Sequence, residues 1–104
     1  MSSDKSFDYR NLDETIHARP RLAIMRLLIT FAEADFNTLK QSLSLTDGTL
    51  SIHLRKLEEA GFIRVKKAFV SRKPRSRYIL TPRGQAAFER YLDQIEKLVK
   101  GLPL

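Results

Sequence analysis

The chain has 104 residues, of which 42% are hydrophobic and 30% are charged, and this composition fits one soluble globular domain with a modest core. It has no cysteine, and its two histidines lie far apart in the sequence. A disulfide framework, a thiolate metal site and cysteine catalysis are therefore excluded, and no metal or other cofactor is expected. No apolar run approaches the roughly 18 residues of a membrane span, and the polar start is unlike a secretory signal, so we expect a cytoplasmic protein.

The net charge of +7 is concentrated in one segment of the chain. Between Ala60 and Phe88 there are eight Lys or Arg residues and no Asp or Glu, whereas the other charges nearly balance. A concentrated positive field attracts a polyanion, while a merely solubilising surface usually mixes both signs. This segment therefore indicates a nucleic acid as partner.

The first third of the chain predicts an arm and two helices. Residues 1–10 contain few apolar side chains and are expected to form a mobile arm. Leu12 and Ile16 are four positions apart, which predicts a short helix over 12–17 that ends before Pro20. The segment 21–32 is apolar nearly all round, so it is predicted to be the central buried helix, with Pro20 at its first position.

A helix-turn-helix is predicted over residues 38–60. Residues 33–36 should interrupt the preceding helix, with a one-residue β-bridge at Phe36, and Asn37 should cap a short helix over 38–43. A longer helix follows, with Thr46 as its N-cap and Gly61 as the left-handed residue that ends it. A short helix, a tight turn and a longer helix have the spacing of this motif, in which the second helix is the reading element.

The longer helix has one apolar stripe, formed by Leu50, Leu54 and Leu57, and an opposite face of small, polar and cationic residues. Gly48 and Ser51 leave that face slim, so it could lie close to another surface. Taken alone, such a face is more often an ordinary solvated one. The basic segment that follows it shifts the interpretation towards nucleic acid.

A β-hairpin with a basic tip is predicted over residues 62–81. Two runs of β-forming residues, 62–70 and 78–80, flank the turn-type segment SRKPRS. Cations can protect an exposed sheet edge, but one or two are enough for that purpose. Seven cations on one hairpin without an acid favour contact with a nucleic acid instead.

The C-terminal helix, predicted over 82–100, begins at Pro82 after the cap Thr81. Its apolar residues recur at steps of about 3.5, which is typical of a helix that pairs with another. The same stripe could cover the core of one protomer. A stripe of this length exceeds a small core, so self-association is the favoured interpretation.

At residue level the chain is similar to the small MarR-like and ArsR-like winged helix-turn-helix transcriptional regulators. The similarity is carried by RLAIMRLL at 21–28, FNTL at 36–39, TLSIHLRKLEEAG at 49–61 followed by FIRVKK, and YILTPRG at 78–84. The cysteine motif of the ArsR-type metal sensors is absent. The chain is also shorter than most MarR-type drug sensors, which leaves little volume between protomers and argues against a small-molecule effector.

The resemblance implies a mainly α fold with a small β-hairpin (α+β), in the order α-α-α-α-β-β-α, and a homodimer on double-stranded DNA. The helix 47–60 would enter the major groove, and the hairpin, or wing, would touch the DNA backbone or the adjacent minor groove. The last helix and the N-terminal helix would form the dimer interface. The residues predicted there are Leu12, Ile16, Phe88, Leu92, Ile95, Val99 and Leu102.

Side-chain chemistry and the resemblance together give the predicted DNA contacts. Arg55 is the candidate for a guanine, because its fork matches O6 and N7. His53 is predicted to be either a hydrogen-bonded structural residue or a base reader. The full set of contacts is Asp47, Gly48, Thr49, Ser51, Ile52, Arg55 and Lys56 on the reading helix, Thr38, Lys40 and Gln41 on the helix before it, and Lys66, Lys67, Arg72, Lys73, Arg75 and Arg77 on the wing.

The predicted function is that of a sequence-specific, double-stranded DNA-binding transcriptional regulator acting as a homodimer on an inverted-repeat operator. The alternative is a winged-helix interaction module that binds an acidic protein partner without specific DNA binding. An enzyme is not expected, because a cysteine nucleophile, a glycine-rich phosphate loop and a recognisable cluster of titratable residues are all missing from the sequence. An RNA-binding role would need an aromatic stacking platform, which the sequence does not offer.

Overall fold

Four α-helices and a three-stranded antiparallel sheet make up the fold of the computed structural model, which describes residues 7–103. The chain order is a 3-10 turn (Tyr9–Asn11), α1 (Arg19–Phe31), β1 (Glu33–Asp35), α2 (Phe36–Leu43), α3 (Asp47–Glu59), β2 (Ile63–Val70), β3 (Lys73–Leu80) and α4 (Pro82–Lys100). The strand order is β1-β3-β2. The predicted α+β class with a hairpin is confirmed.

The predicted order of helices is wrong at the N-terminus, because residues 12–17 form turns and not an α-helix. The Asp13 carboxylate accepts a hydrogen bond from the backbone N–H of Ile16 at 3.0 Å, and the Asp13 carbonyl accepts one from His17 N–H at 2.8 Å. These bonds close a single turn, and Ala18 is already extended before α1 begins. Residues 1–6 of the predicted arm lie outside the described residues, and Tyr9–Asn11 form the 3-10 turn.

The core forms where α1, α2, α3, the hairpin base and the first half of α4 meet. Its fully buried side chains are Ile16, Ile24, Met25, Leu28, Leu39, Leu50, Leu57 and Ile63. The helix predicted to be central does contact the three other helices and the sheet, but it is buried on one side only, because Ile29 and Phe31 of α1 are 38% and 65% exposed. A domain of this size surrounds its central helix on one side only, so the opposite apolar residues remain at the surface.

A short strand replaces the predicted one-residue bridge at Phe36. Residues 33–35 pair with β3 as β1, and Phe36 is already the first residue of α2. The N-cap of α2 is Asp35 and not Asn37, because the Asp35 carboxylate accepts the backbone N–H of Thr38 at 2.7 Å. The helix thus begins two residues earlier than predicted.

The predicted signals at both ends of α3 are confirmed. The Thr46 hydroxyl accepts the N–H of Thr49 at 3.2 Å, and Gly61 has a φ of 79° just beyond the helix. The apolar stripe is confirmed as well, since Leu50, Leu54 and Leu57 are the buried residues of α3. The stripe packs against α1 and β2, which leaves the other side of α3 open.

The turn of the hairpin is shorter than predicted, since two residues, Ser71 and Arg72, connect β2 to β3. Both have positive φ angles, 52° and 65°, as a two-residue hairpin turn with the twist of its strands requires. Pro74 lies inside β3 opposite Phe69, next to the closing pair Val70 and Lys73. In an antiparallel ladder the pair beside a hydrogen-bonded closing pair makes no backbone bonds, so proline is tolerated there.

A histidine and an arginine connect α3 to α1 beside the apolar contact. Arg21 of α1 lies with its Nη1 2.9 Å from Nδ1 of His53 on α3, and it also donates to the Thr15 carbonyl. His53 is half-buried, and burial together with the neighbouring Arg21 and Lys56 charges lowers its pKa below the usual 6.5. A neutral His53 accepts a hydrogen bond from Arg21. Of the two predicted roles, a structural residue or a base reader, this contact supports the structural one.

The helix α4 begins against the hairpin base through a glycine. Thr81 caps it by accepting the N–H of Gly84 at 2.9 Å, and the Thr81 hydroxyl donates to the Gly61 carbonyl at 2.6 Å. A Cβ at Gly84 would lie 2.1 Å from the carbonyl oxygen of Phe62. This close approach packs the start of α4 against the Phe62 backbone, which connects α3 to β2.

We predict that Gly84→Ala destabilises the fold by about 1–3 kcal/mol, because the new methyl group displaces backbone and not a flexible side chain. Gly48→Ala is the matched control, since a Cβ there meets nothing within 4 Å and the position is helical. The control should be neutral or slightly more stable. Urea unfolding measures both, and equal stabilities would contradict the proposed contact.

The lowered pKa of His53 predicts a pH-dependent stability. As the pH falls, His53 is protonated in the unfolded chain before it is protonated in the folded protein. The contribution of neutral His53 to the free energy of unfolding is therefore fully present above about pH 6.5 and decreases as the pH falls towards the pKa of the folded state. His53→Gln should reduce the loss of stability between pH 7 and pH 5, whereas His17→Gln, which retains His53, should keep it. Denaturant unfolding across this range is the measurement, and an unchanged pH profile in His53→Gln would contradict the assignment.

Candidate nucleic-acid interface

The outer face of α3 is open to solvent at every residue predicted to contact DNA. Asp47, Gly48, Thr49, Ser51, Ile52, Arg55 and Lys56 are all exposed. Ile52 is a large apolar residue at 55% exposure in the middle of this face. A Cβ at Gly48 would meet no neighbour within 4 Å, so the N-terminal turn of α3 is the slimmest part of the surface.

The two helices of the helix-turn-helix are joined by an ion pair across their turn. Lys40 Nζ of α2 lies 2.8 Å from the Asp47 carboxylate at the start of α3. Asp47 therefore complements both Lys40 and the positive end of the helix dipole. Thr38 and Gln41 are exposed on α2, and Lys40 is half-buried.

The α2 N-terminus is also ordered by a carboxylate. The hydrogen bonds from Thr38 hold the pKa of Asp35 below its ordinary value, with the Arg75 and Arg77 charges adding to this effect. Asp35 is thus ionised at neutral pH and holds the first turn of α2 beside β1. The Thr38 side chain itself is exposed at the N-terminal end of α2.

A shallow groove joins α3 to the base of the hairpin. It is lined by Ser51, Leu54, Arg55, Glu58, Val65, Lys67 and Tyr78. The groove brings together Arg55 of α3 and Lys67 of β2, two predicted contacts that are distant in sequence. Lys56 lies on the other flank of α3, in a depression formed with Glu14, Arg21 and Glu59.

The two-stranded ribbon β2–β3 has two chemically different faces. Alternation along β2 and the register with β3 place Val65, Lys67, Phe69, Pro74, Ser76 and Tyr78 on the face that includes the groove beside α3. The other face has Arg64, Lys66, Lys73, Arg75 and Arg77. Most predicted wing cations therefore lie on the face turned from the groove, and Lys67 lies on the groove side.

Acidic residues of β1 neutralise part of the cationic face. Arg77 Nη1 lies 2.9 Å from the Glu33 carboxylate, and Arg75 Nη1 lies 3.7 Å from that of Asp35. The hairpin sequence itself contains no acid, but the sheet brings Glu33 and Asp35 of β1 beside two of its arginines. Within residues 7–103, Lys66, Lys67, Arg72 and Lys73 form no such ion pair.

The predicted dimer residues divide into two groups. Ile16 and Phe88 are 0% and 6% exposed and belong to the core of the protomer itself, so their assignment to a dimer interface is corrected. Leu12 and Ile95 are half-buried against that core. Leu92, Val99 and Leu102 are 47–49% exposed, and Leu98, which widens the same stripe, is 39% exposed.

Sequence reasoning missed three features of this surface. Phe69 is 79% exposed, although its hydrophobic type suggested a strand residue with one buried face. Residues 63, 65, 67 and 69 share one face of β2, and exposure along this face increases away from Ile63. The position of Phe69 at the far end of this face was the signal that it lies beyond the core. The pairing of Glu33 and Asp35 with wing arginines, and of Arg21 with His53, depends on tertiary structure and has no local signal.

The described part of the chain offers neither a metal-ligand cluster nor a membrane span. Among residues 7–103 no three His, Cys, Asp or Glu side chains come together in a way that could hold a metal ion. No helix in that range combines the length and the apolar character needed to cross a bilayer.

Comparison with known proteins places the chain among winged-helix proteins. An uncharacterized protein of Methanocaldococcus jannaschii is 39% identical over 82 residues, which cover 79% of this chain and 89% of the relative. The solved structure of a transcriptional regulator homologue from Pyrococcus horikoshii is 30% identical and superposes with a TM-score of 0.82, covering 88% of this chain and 91% of that one. A protein from Enterococcus faecalis assigned to the MarR family of transcriptional regulators is 26% identical, with a TM-score of 0.72 and coverage of 92% and 86%.

A family model described as a winged helix DNA-binding domain matches residues 20–99, a range that extends from the second residue of α1 almost to the end of α4. It includes α3, the groove and the wing described above. The two solved relatives are named as transcriptional regulators and not as enzymes. On the agreement of fold, surface and sequence, the chain belongs to the winged helix DNA-binding domain family.

Proposed function

We propose that this protein is a sequence-specific, double-stranded DNA-binding transcriptional regulator of the cytoplasm that acts as a homodimer on an inverted-repeat operator. The observation that carries this proposal is the groove in which Arg55 of α3 and Lys67 of β2 line one surface. A helix that enters a major groove and a wing that follows the backbone must share such a surface. The family membership supports the same assignment.

The roles within the surface follow from side-chain chemistry. Ser51, Ile52 and Arg55 are exposed around the middle of α3 and would meet base edges, with Ile52 suited to a thymine methyl group. Gly48 and Thr49 would lie close to the backbone at the slim helix start. Lys67 and the tip cations Arg72 and Lys73 would contact phosphates, which position the protein without reading sequence.

Distal α4 supports the proposed self-association. The buried residues of α4 are Gly84, Ala87, Phe88 and Tyr91, all in its first half. Its second half exposes Leu92, Leu98 and Val99, with Leu102 just beyond the helix. A contiguous apolar stripe that projects from a small domain is stabilised when a second copy covers it.

The mechanism that follows is regulation by occupancy. A two-fold dimer would present its two α3 helices about 34 Å apart, so that each enters the major groove of one half-site in an inverted repeat. The bound protein would then compete with, or recruit, other proteins at the promoter. No chemical step on the DNA is required, which agrees with a non-enzymatic role.

Arg55→Ala should weaken binding to the preferred duplex by about 1–3 kcal/mol and relax the preference at one base position, because the bidentate hydrogen bonds to guanine can no longer form. The measurement is a competition assay on the duplex selected by the wild-type protein and on its single-base variants. Lys56→Ala, on the other flank of α3, is the matched control and should leave base preference unchanged. Equal losses on selected and random DNA would assign Arg55 to a phosphate instead.

The salt dependence of binding tests which wing cations reach the phosphates. The slope of log affinity against log salt should flatten by about 0.9 for each phosphate that the protein no longer neutralises, so Lys67→Ala/Arg72→Ala should flatten it clearly. Arg77→Ala removes a cation already paired with Glu33 at 2.9 Å and should change the slope less. An unchanged slope in the double variant would remove the wing from the interface.

Failure of the wild-type protein to bind random duplex at moderate salt would favour the protein-interaction module.

Val99→Glu should shift the protein from dimer to monomer, because it places a charge in the exposed apolar stripe of α4. Lys97→Glu, on the opposite side of the same helix, is the matched control and should leave the dimer intact. Sedimentation equilibrium measures both, together with thermal unfolding to verify the fold. A monomeric wild-type protein, or a Val99→Glu dimer, would contradict the proposed interface.

A further inference from the structure

We propose that Phe69 at the wing tip acts as an apolar wedge that enters the minor groove beside the α3 contact, unstacks a base step and bends the DNA. The inference rests on the proposed DNA-binding function and goes beyond it. It assigns to an uncharged residue a contribution to specificity that depends on how easily the DNA bends. Phe69 is the most exposed large hydrophobic side chain among residues 7–103, at 79%. Nothing in that range covers it.

The ribbon geometry directs Phe69 towards the same side as the reading helix. Phe69 shares its face with Val65 and Lys67, which line the groove beside α3. Its cross-strand neighbour is Pro74, in a pair where side chains approach closely. Phe69 and Pro74 form an apolar pair near the end of the ribbon, and the ring of Pro74 restricts the backbone of β3 at this position.

The reach of the ribbon fits the spacing of DNA grooves. Phe69 lies two residues beyond Lys67 and four beyond Val65, both of which line the groove beside α3, so it extends about 7 Å to 13 Å past them along the strand. Adding a helix radius of about 5 Å gives a reach of roughly 12 Å to 18 Å from the α3 axis for a strand that leads away from the helix. Half of a helical turn of about 34 Å is roughly 17 Å, so the adjacent minor groove lies near the end of that reach.

The charges around Phe69 suit DNA and not an apolar protein partner. Arg72 and Lys73 lie at the adjoining turn and Lys67 lies two residues before it, with no acid paired to any of them among the described residues. These cations would hold the two phosphate backbones that border a minor groove. Apolar side chains inserted between base pairs from this side kink the duplex, at the lowest cost at flexible pyrimidine–purine steps.

The test compares the wild-type protein with Phe69→Ala and with Val70→Ala as matched control. Val70 is the next residue of β2, is 47% exposed and lies on the opposite face of the ribbon. The probe is a duplex that the wild-type protein selects from a random library, placed at permuted positions in longer fragments. Gel mobility then reports the bend, and titration reports the affinity.

The wild-type protein and Val70→Ala should retard the fragments most when the site is central. Phe69→Ala should lose most of this positional effect and bind about 10-fold more weakly, with its salt slope unchanged because no cation is removed. Phe69→Leu, which retains an apolar wedge, should restore part of the bend. Sedimentation of Phe69→Ala should show the wild-type oligomeric state.

Three results would overturn the wedge. A bend of equal size in Phe69→Ala, or a wild-type complex without a bend, would leave the DNA-binding function intact and remove Phe69 from it. A loss of self-association in Phe69→Ala would assign the residue to a contact between two copies. Failure of the proposed function differs from all of these, since the wild-type protein would then select no duplex at all.

Discussion

The burial of one side of α3 is the constraint on which the rest of this structure depends. Leu50, Leu54 and Leu57 are at most 2% exposed, and the burial of each contributes about 1.5–3 kcal/mol. Because this stripe is held against α1 and β2, the opposite side of the helix has a defined direction. The surface that would read DNA is therefore positioned by apolar contacts on the far side of the same helix.

Polar contacts refine that position at three points around α3. The Lys40–Asp47 ion pair joins its start to α2, the Arg21–His53 contact joins its middle to α1, and Gly61 ends it where the Thr81 hydroxyl donates to the glycine carbonyl. Both side chains of the ion pair are accessible to solvent, at 41% and 70%, so the pair contributes little to stability by itself. Its effect is geometric, because it limits how α2 and α3 rotate about their short turn.

Elements with strong local signals were predictable from the sequence. The boundaries of α3 and α4 follow from Thr46, Gly61 and Thr81, whose side chains or φ angles act within a few residues of their own position. Residues 12–17 and β1 were mispredicted for the opposite reason. The Asp13 side chain caps a single turn that ends where Ala18 becomes extended, and β1 forms a strand only because β3 lies beside it.

The candidate surface was predictable in its composition but not in its arrangement. A charge count along the chain contains no information about the face on which each cation lies, so the ion pairs of Arg75 and Arg77 with β1 were invisible. The periodicity of α4 likewise could not separate Phe88, buried in the core, from Val99, exposed at the distal end. Both distinctions depend on where the small core stops.

The most direct measurement of whether α3 and the wing form one DNA-binding surface is an NMR titration of the ¹⁵N-labelled protein with the duplex that it selects. The backbone amides of residues 47–55 on α3 and 66–73 on the wing should shift together and saturate with a single dissociation constant, while those of β1 stay nearly unchanged. Shifts confined to one of the two segments, or concentrated instead on distal α4, would contradict a shared surface.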